Sequence, residues 1–376
     1  MGPFALLERD PTYSVFGRSS FARVRKMDRK YFRPIKPQRS FQEWCKDKRL
    51  DLLVTLGGMV AVLLATIYLH FFAPASWTKN AKVVVIPQGK SFHEVARILE
   101  DNGIIRDRRS FYLLARIGGE VSKAKAGEYE VHTQMTPREV LSKLVRGEVI
   151  QYPVTIPEGY NLYQIGEVLE QAKVCSKKIF LEKVRDPALI DSLGLDGDSL
   201  EGYLFPDTYN LPKGFGEEQV IRQMVARFKT VYGSLAKRAE KLGLSRLDVV
   251  ILASMIEKEA KDDQERRLIA AVFHNRLNRG MALQSDPTAI YGLQEKRNSV
   301  TREDLQRKTP YNTYIISGLP KGPIANPGSK SLQAVLFPAD VGYLYFVSKN
   351  DGTHYFSSTL EEHNRAVARY QRHAKK

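Results

Sequence analysis

Two cysteines in 376 residues cannot build a disulfide framework. Cys45 and Cys175 also flank a long apolar run, so they are not expected to pair with each other. The seven histidines are scattered, with no H-x-x-x-H or H-E-x-x-H spacing, which removes the common zinc-hydrolase signatures. A G-x-S-x-G elbow and a Walker loop are missing as well. Nothing in the chain calls for a cofactor, and no metal site is expected. Acidic residues are in deficit, 42 Asp and Glu against 58 Lys and Arg, a net charge of +16. Such an excess often marks nucleic-acid binding, but residues 1–50 hold 13 Lys/Arg against 5 Asp/Glu and lead straight into an uncharged segment. That placement points to a membrane surface and away from nucleic acid.

The uncharged segment is LLVTLGGMVAVLLATIYL, Leu52 to Leu69, which continues apolar to Phe72. At ~1.5 Å per residue it makes a helix about 31 Å long, the thickness of a hydrocarbon core. Lys46, Lys48 and Arg49 precede it, and Tyr68 and Trp77 stand near its far end. The charge asymmetry places the N-terminus in the cytoplasm and residues from about 75 onward outside. The expected organisation therefore starts with a disordered basic cytoplasmic tail over 1–50 and a single transmembrane helix over 51–73.

An internal repeat follows. Residues 84-VVIPQGKSFHEVARIL-99 align with 154-VTIPEGYNLYQIGEVL-169 at an offset of seventy. Each copy reads as a strand, a Pro-x-Gly turn and a helix opened by Ser91 or Asn161 as N-cap. A third strand–turn–helix, capped by Thr136, lies between them over 128–148. Units of this kind resemble LysM-like modules, which bind N-acetylglucosamine polymers. That resemblance implies a glycan-recognition module over 80–150, and the chain after it reads as an α+β domain over 151–376 that holds the candidate catalytic residues.

Within the second part, 251-ILASMIEKEA-260 ends an apolar helix with two carboxylates. Ser245 caps that helix, with Asp248 three residues on. Glu257 and Glu259 stand about 200° apart around the axis, so they cannot act as one pair. Glu259 continues the bulky stripe of Leu252, Met255 and Ile256, and burial there raises a carboxyl pKa toward the range a general acid needs. The stripe favours Glu259; the alternative is that both glutamates are solvated at a fraying end. Glu257 is expected to support the site, paired to an arginine such as Arg276. Beyond the helix come loops rich in Gly, Pro, Asn, Thr and Tyr around 282–292 and 310–328, surfaces suited to sugar hydroxyls and acetamido groups.

Six segments together resemble one family: E-G-Y-L-F-P-D-T-Y, A-S-M-I-E-K-E-A, H-N-R-L, L-Q-S-D-P-T-A-I-Y-G, Y-N-T-Y-x-x-x-G-L-P-x-G-P-I-A-N-P-G and Y-L-Y-F-V. The chain from 80 to 376 is similar to the MltG (YceG-like) endolytic murein transglycosylases. The resemblance implies a bacterial inner-membrane enzyme with a periplasmic domain that cleaves MurNAc–GlcNAc β-1,4 bonds within nascent peptidoglycan strands. It leaves 1,6-anhydroMurNAc ends and uses one glutamate, Glu259. Asn275 and Arg276 of H-N-R-L are then supporting residues. Gln284, Asp286, Tyr311, Asn312, Thr313, Tyr314 and Asn326 are the expected substrate contacts. Peptidoglycan strands are the implied partner, with peptidoglycan synthases or division proteins beside them. The competing reading is a non-catalytic cell-wall-binding scaffold.

Overall fold

The computed structural model describes residues 41–293 and 300–372. Most of the basic tail expected over 1–50 lies outside them. α1 (Phe41–Phe71) contains the 24-residue stretch Lys48–Phe71, whose most apolar 18 residues have a mean hydropathy of 2.3, long and apolar enough to cross a membrane. Its threonines do not break that character. Thr55 and Thr66 return their hydroxyls to carbonyls one turn back, at 2.9 Å on Asp51 and 2.8 Å on Val62.

The rest of the chain begins with the repeat. β1 (Ala81–Ile86) leads through the Pro87–Gly89 turn into α2 (Phe92–Asp101), then α3 (Arg108–Ile117) and β2 (Gly127–His132). Ser91 makes a full capping box with Glu94, which fixes where α2 starts. β1 and β2 pair antiparallel, with Val84 opposite Tyr129 on the buried face. α4 (Pro137–Arg146), capped by Thr136 and closed by Gly147 in the left-handed region, completes this unit. Its core is an apolar cluster running from Val84 to Leu144, with Phe92, Phe111 and Tyr129 as its aromatic members.

The second copy repeats the order. β3 (Tyr152–Thr155) is followed by α5 (Leu162–Gln171), α6 (Lys177–Lys183), a short α7 (Pro187–Ser192) and β4 (Thr208–Leu211). Asn161 and Gln164 form the capping box of α5. Val154 lies opposite Tyr209, as Val84 lies opposite Tyr129. In both copies the tyrosine hydroxyl also donates to the carbonyl four residues back, Tyr129 to Lys125 at 2.7 Å and Tyr209 to Phe205 at 2.6 Å. The duplication thus reaches beyond the matched strand, turn and helix to the closing strand. It escapes sequence alignment because the α7 excursion lengthens the second copy.

α8 (Glu217–Gly233) and α9 (Ala236–Lys241) lead to α10 (Arg246–Glu259), whose capping box is Ser245 with Asp248. Every residue of α10 from Val249 to Ile256 is buried, so the helix is enclosed on all sides. It packs against α11 (Arg266–Asn278) and, after α12 (Asp286–Ile290) and α13 (Arg302–Gln306), against α14 (Ser329–Leu336). β5 (Tyr345–Ser348), β6 (His354–Ser357) and α15 (Leu360–Val367) close the described chain. A second core, from Val154 to Leu336, joins the second copy of the repeat to these helices. The result is a mixed helix-and-sheet fold with three two-stranded sheets among the described residues.

Candidate active site

The two glutamates of EKE leave the last turn of α10 in different directions, and their partners differ completely. Glu257 is nearly enclosed. Its Oε1 receives Arg266 at 3.1 Å and its Oε2 receives the backbone N–H of Gly328 at 3.0 Å. Arg266 in turn donates to Ser331 Oγ at 2.9 Å. The arginine expected for Glu257 was Arg276, and the structure corrects this. Arg276 lies in the last turn of α11, at the far end from Arg266, and spends its guanidinium on the carbonyls of Leu344, Ala282 and Leu283, over the ring of Tyr345. Asn275 likewise ties α11 to the strand approach, donating to the carbonyls of Val341 and Tyr343.

Glu259 is half-buried and meets no cation among the described residues. Ser285 Oγ donates to its Oε1 at 2.5 Å. Loss of water pushes its carboxyl from 4.5 up to about 7; the Ser285 hydrogen bond works against that rise and the charge of Asp286 adds to it. A carboxyl with this pKa is present in both protonation states near neutral pH, the requirement for giving and then taking one proton.

The expected sugar contacts divide into two groups. Gln284 and Asp286 are exposed on the loop beside Glu259, and Gln284 holds a left-handed φ of 51°. Tyr314 donates to Asp286 at 2.6 Å, and the half-buried Tyr311 leans on Tyr291 with ring centroids 4.7 Å apart. These four side chains keep surface to offer. Asn312, Thr313 and Asn326 do not: each is 0% exposed. Asn312 donates to the carbonyls of Asp304, Leu305 and Arg307, which shapes the loop before it. Thr313 is enclosed with Ser285 and Thr288. Asn326 accepts from Leu204 N–H and donates to Tyr160 O and Glu201 Oε1. Their amides and hydroxyls are consumed inside the fold, so the expectation of sugar contact is corrected to one of holding the loops. Loop composition alone does not tell a polar group that faces a ligand from one that fastens the loop.

Two residues escaped the sequence reading. Ser285 sits between Gln284 and Asp286, and a lone serine carries no periodic signal. Glu201, in E-G-Y-L-F-P-D-T-Y, is a second carboxylate, 1% exposed. It accepts from Leu162 N–H at 3.2 Å, Tyr291 Oη at 2.9 Å and Asn326 Nδ2 at 2.7 Å. Burial raises it to about 7 as well, against those three donors. Being sealed, it joins three segments and cannot reach a ligand.

The second Pro-x-Gly turn forms part of this region. Gly159 N–H donates to Asn326 O, and Asn326 N–H donates back to Tyr160 O, both at 2.9 Å. The Glu158 carboxylate occupies the space where a Cβ on Gly328 would stand, so the two segments are in close contact. The first turn has a different setting. Gln88, Gly89 and Lys90 line an open groove of about 1250 Å³ shared with Lys213, Gln219 and Arg227 of the following part. Glu259 is not among its lining residues. Among the described residues no group of three or more His, Cys, Asp or Glu is placed to hold a metal ion.

A model of the YceG-like family matches residues 84–369. The chain is 34% identical over 312 residues to an endolytic murein transglycosylase of Bacillus subtilis (strain 168), covering 78% of this chain and 86% of that protein. It is 30% identical over 325 residues to an endolytic murein transglycosylase of Streptococcus pneumoniae serotype 2 (strain D39), covering 78% of this chain but 59% of that longer relative. A crystal structure of a YceG-like protein from Listeria monocytogenes aligns with a TM-score of 0.54 and 34% identity, over 77% of this chain and 100% of that one.

Proposed function

Because the chain belongs to the YceG-like family, we propose that it is an endolytic lytic transglycosylase of bacterial peptidoglycan with Glu259 as its single acid–base. The observation that carries this reading is the half-buried Glu259 at the end of α10, raised to about 7 and held by a neutral hydroxyl. The bond broken is the β-1,4 link from MurNAc C1 to the GlcNAc oxygen. Protonated Glu259 gives its proton to that oxygen as the C1–O bond opens. The resulting carboxylate takes the proton of the C6 hydroxyl on the same MurNAc, whose oxygen closes on C1. The product is a 1,6-anhydro end, no water is consumed, and Glu259 finishes protonated again. One carboxyl suffices because the sugar supplies the nucleophile, whereas ordinary glycosidases need two.

In this reading Gln284, Asp286, Tyr311 and Tyr314 contact the sugars. Residues 80–150 are a LysM-like glycan-recognition module, and 151–376 carry the chemistry. α1 anchors the chain in the cytoplasmic membrane, with the catalytic part outside it and peptidoglycan synthases or division proteins as neighbours. Full-length protein in detergent, incubated with peptidoglycan, should release fragments with anhydro ends by mass, and Glu259→Gln should release none. Ends heavier by one water, or wild-type turnover in Glu259→Gln, would refute it.

One observation favours a second reading. The charge of Asp286 reaches Glu259, so Asp286 is the candidate second carboxylate of a hydrolase. Asp286→Asn should then abolish activity as fully as Glu259→Gln. In the transglycosylase reading it lowers activity and leaves the anhydro product unchanged.

A further inference from the structure

Ser285 is fixed in place by more bonds than a loop serine needs. Its side chain is 1% exposed. Its backbone N–H donates to Thr313 Oγ1 at 3.0 Å, and its carbonyl accepts from Thr288 Oγ1 at 2.6 Å. Thr288 has one hydroxyl proton, and that bond uses it. In the 2.8 Å contact between the two threonine hydroxyls the donor is therefore Thr313. Thr313 N–H also donates to Thr288 Oγ1, at 3.1 Å. Each proton of this enclosed ring has one place to go. The ring holds Ser285 by both its backbone groups and leaves its hydroxyl to Glu259 Oε1, 2.5 Å away.

The other carboxyl oxygen is in a different position. Glu259 Oε2 has no hydrogen-bond partner among the described residues, and the side chain keeps part of its surface open. We propose that Ser285 is a positioning residue for Glu259: its hydroxyl occupies Oε1, sets the plane of the carboxyl group, and leaves Oε2 as the oxygen that gives and takes the proton. The inference rests on the acid–base role of Glu259 proposed above. It divides the work of one carboxyl between its two oxygens. A hydroxyl suits the task because it donates to Oε1 without adding a charge, so the carboxylate formed in mid-reaction is steadied but still able to take a proton. Of the titratable groups around Glu259, Asp286 opposes its ionisation, Tyr314 is bound to Asp286, and Arg276 lies near Tyr314.

The test compares pH profiles of kcat/KM for full-length wild type, Ser285→Ala and Thr313→Val, scored by anhydro-ended product. Ser285→Ala removes the donor, so the alkaline limb should move to higher pH and kcat at pH 7 should fall roughly tenfold, with KM changed far less. Thr313→Val never touches Glu259 and acts through Ser285 alone; its limb should move the same way by a smaller amount. If the alkaline limb stays in place in both variants, the assignment is overturned, whatever the loss of rate. Should Ser285→Ala fold too poorly to assay, Thr313→Val decides alone by the same criterion. Anhydro ends from the wild type keep the underlying reading of Glu259 intact in either case, so the two failures are told apart by product mass.

Discussion

Gly328 N–H and Glu257 Oε2 are joined by a hydrogen bond of 3.0 Å, which ties the end of the central helix to the loop that follows Asn326. With Arg266 on its other oxygen, Glu257 is a fastening for the wall of the site. The side chains of that ion pair are 6% and 9% exposed, so neither charge can turn to water when its partner is removed. Arg266→Met should therefore destabilise the protein by about 3–5 kcal/mol. Glu257→Gln keeps an acceptor for Gly328 and should cost less. The double variant should lose less than the sum, as chemical unfolding of all three would show.

Glu259 should give a variant that is inactive and more stable. Its folded pKa, about 7, lies above the 4.5 of the free side chain. Between those values the unfolded chain binds fewer protons than the folded one, so stability falls as pH rises through that window. Glu259→Gln removes this loss. At pH 8 it should gain up to about 3 kcal/mol, and at pH 4 almost nothing. Thermal unfolding at both pH values checks the sign. The same protonation makes wild-type activity decline as pH rises through about 7; a profile flat from about pH 5 to 9 would count against the placement of Glu259.

Gly202 occupies a position no other residue can take. Its φ is +85°, and an added Cβ would collide with Val250 of the central helix and with Pro323. Gly202→Ala therefore combines backbone strain with overpacking at the core and should cost about 2–4 kcal/mol. Activity per folded molecule should fall too, since the neighbour displaced is α10 itself. Denaturation midpoints measured alongside kcat separate the two effects.

Glu201 binds three donors with two oxygens. A glutamine in its place has one acceptor oxygen and turns an N–H₂ toward another donor. Glu201→Gln should lose about 1–3 kcal/mol despite its matching shape. Tyr291→Phe, which removes one donor and leaves the carboxylate two, should lose less. The order of their unfolding midpoints is the readout.

The sequence showed those parts of this molecule that repeat or cap. The Pro-x-Gly turns, the capping residues Ser91, Asn161 and Ser245, and the enclosed α10 all stand where spacing put them. The partial burial of Glu259 was legible because it extends an apolar stripe. What could not be read was the pairing of polar groups distant in sequence. Glu257 meets Arg266 and not Arg276 because the two arginines, ten positions apart on α11, sit at opposite ends of that helix. Glu201 and Asn326 are separated by 125 positions, and no local pattern announces their contact. Asn312, Thr313 and Asn326 have the composition of ligand-binding loops, and only burial reveals that they hold the backbone instead.

The exchange of backbone hydrogen bonds between Gly159, Tyr160 and Asn326 also decides where this chain can be cut. The core that holds Glu259 begins at Val154, and the preceding core ends at Leu144. Dividing the chain in the short connection between them leaves every bond around Glu259 in one piece. Dividing it after Leu211 would discard Tyr160, Leu162 and Glu201 and strand Asn326 without its partners. A fragment that keeps the hydrogen-bonded surroundings of Glu259 together therefore has to include the chain from β3 onward.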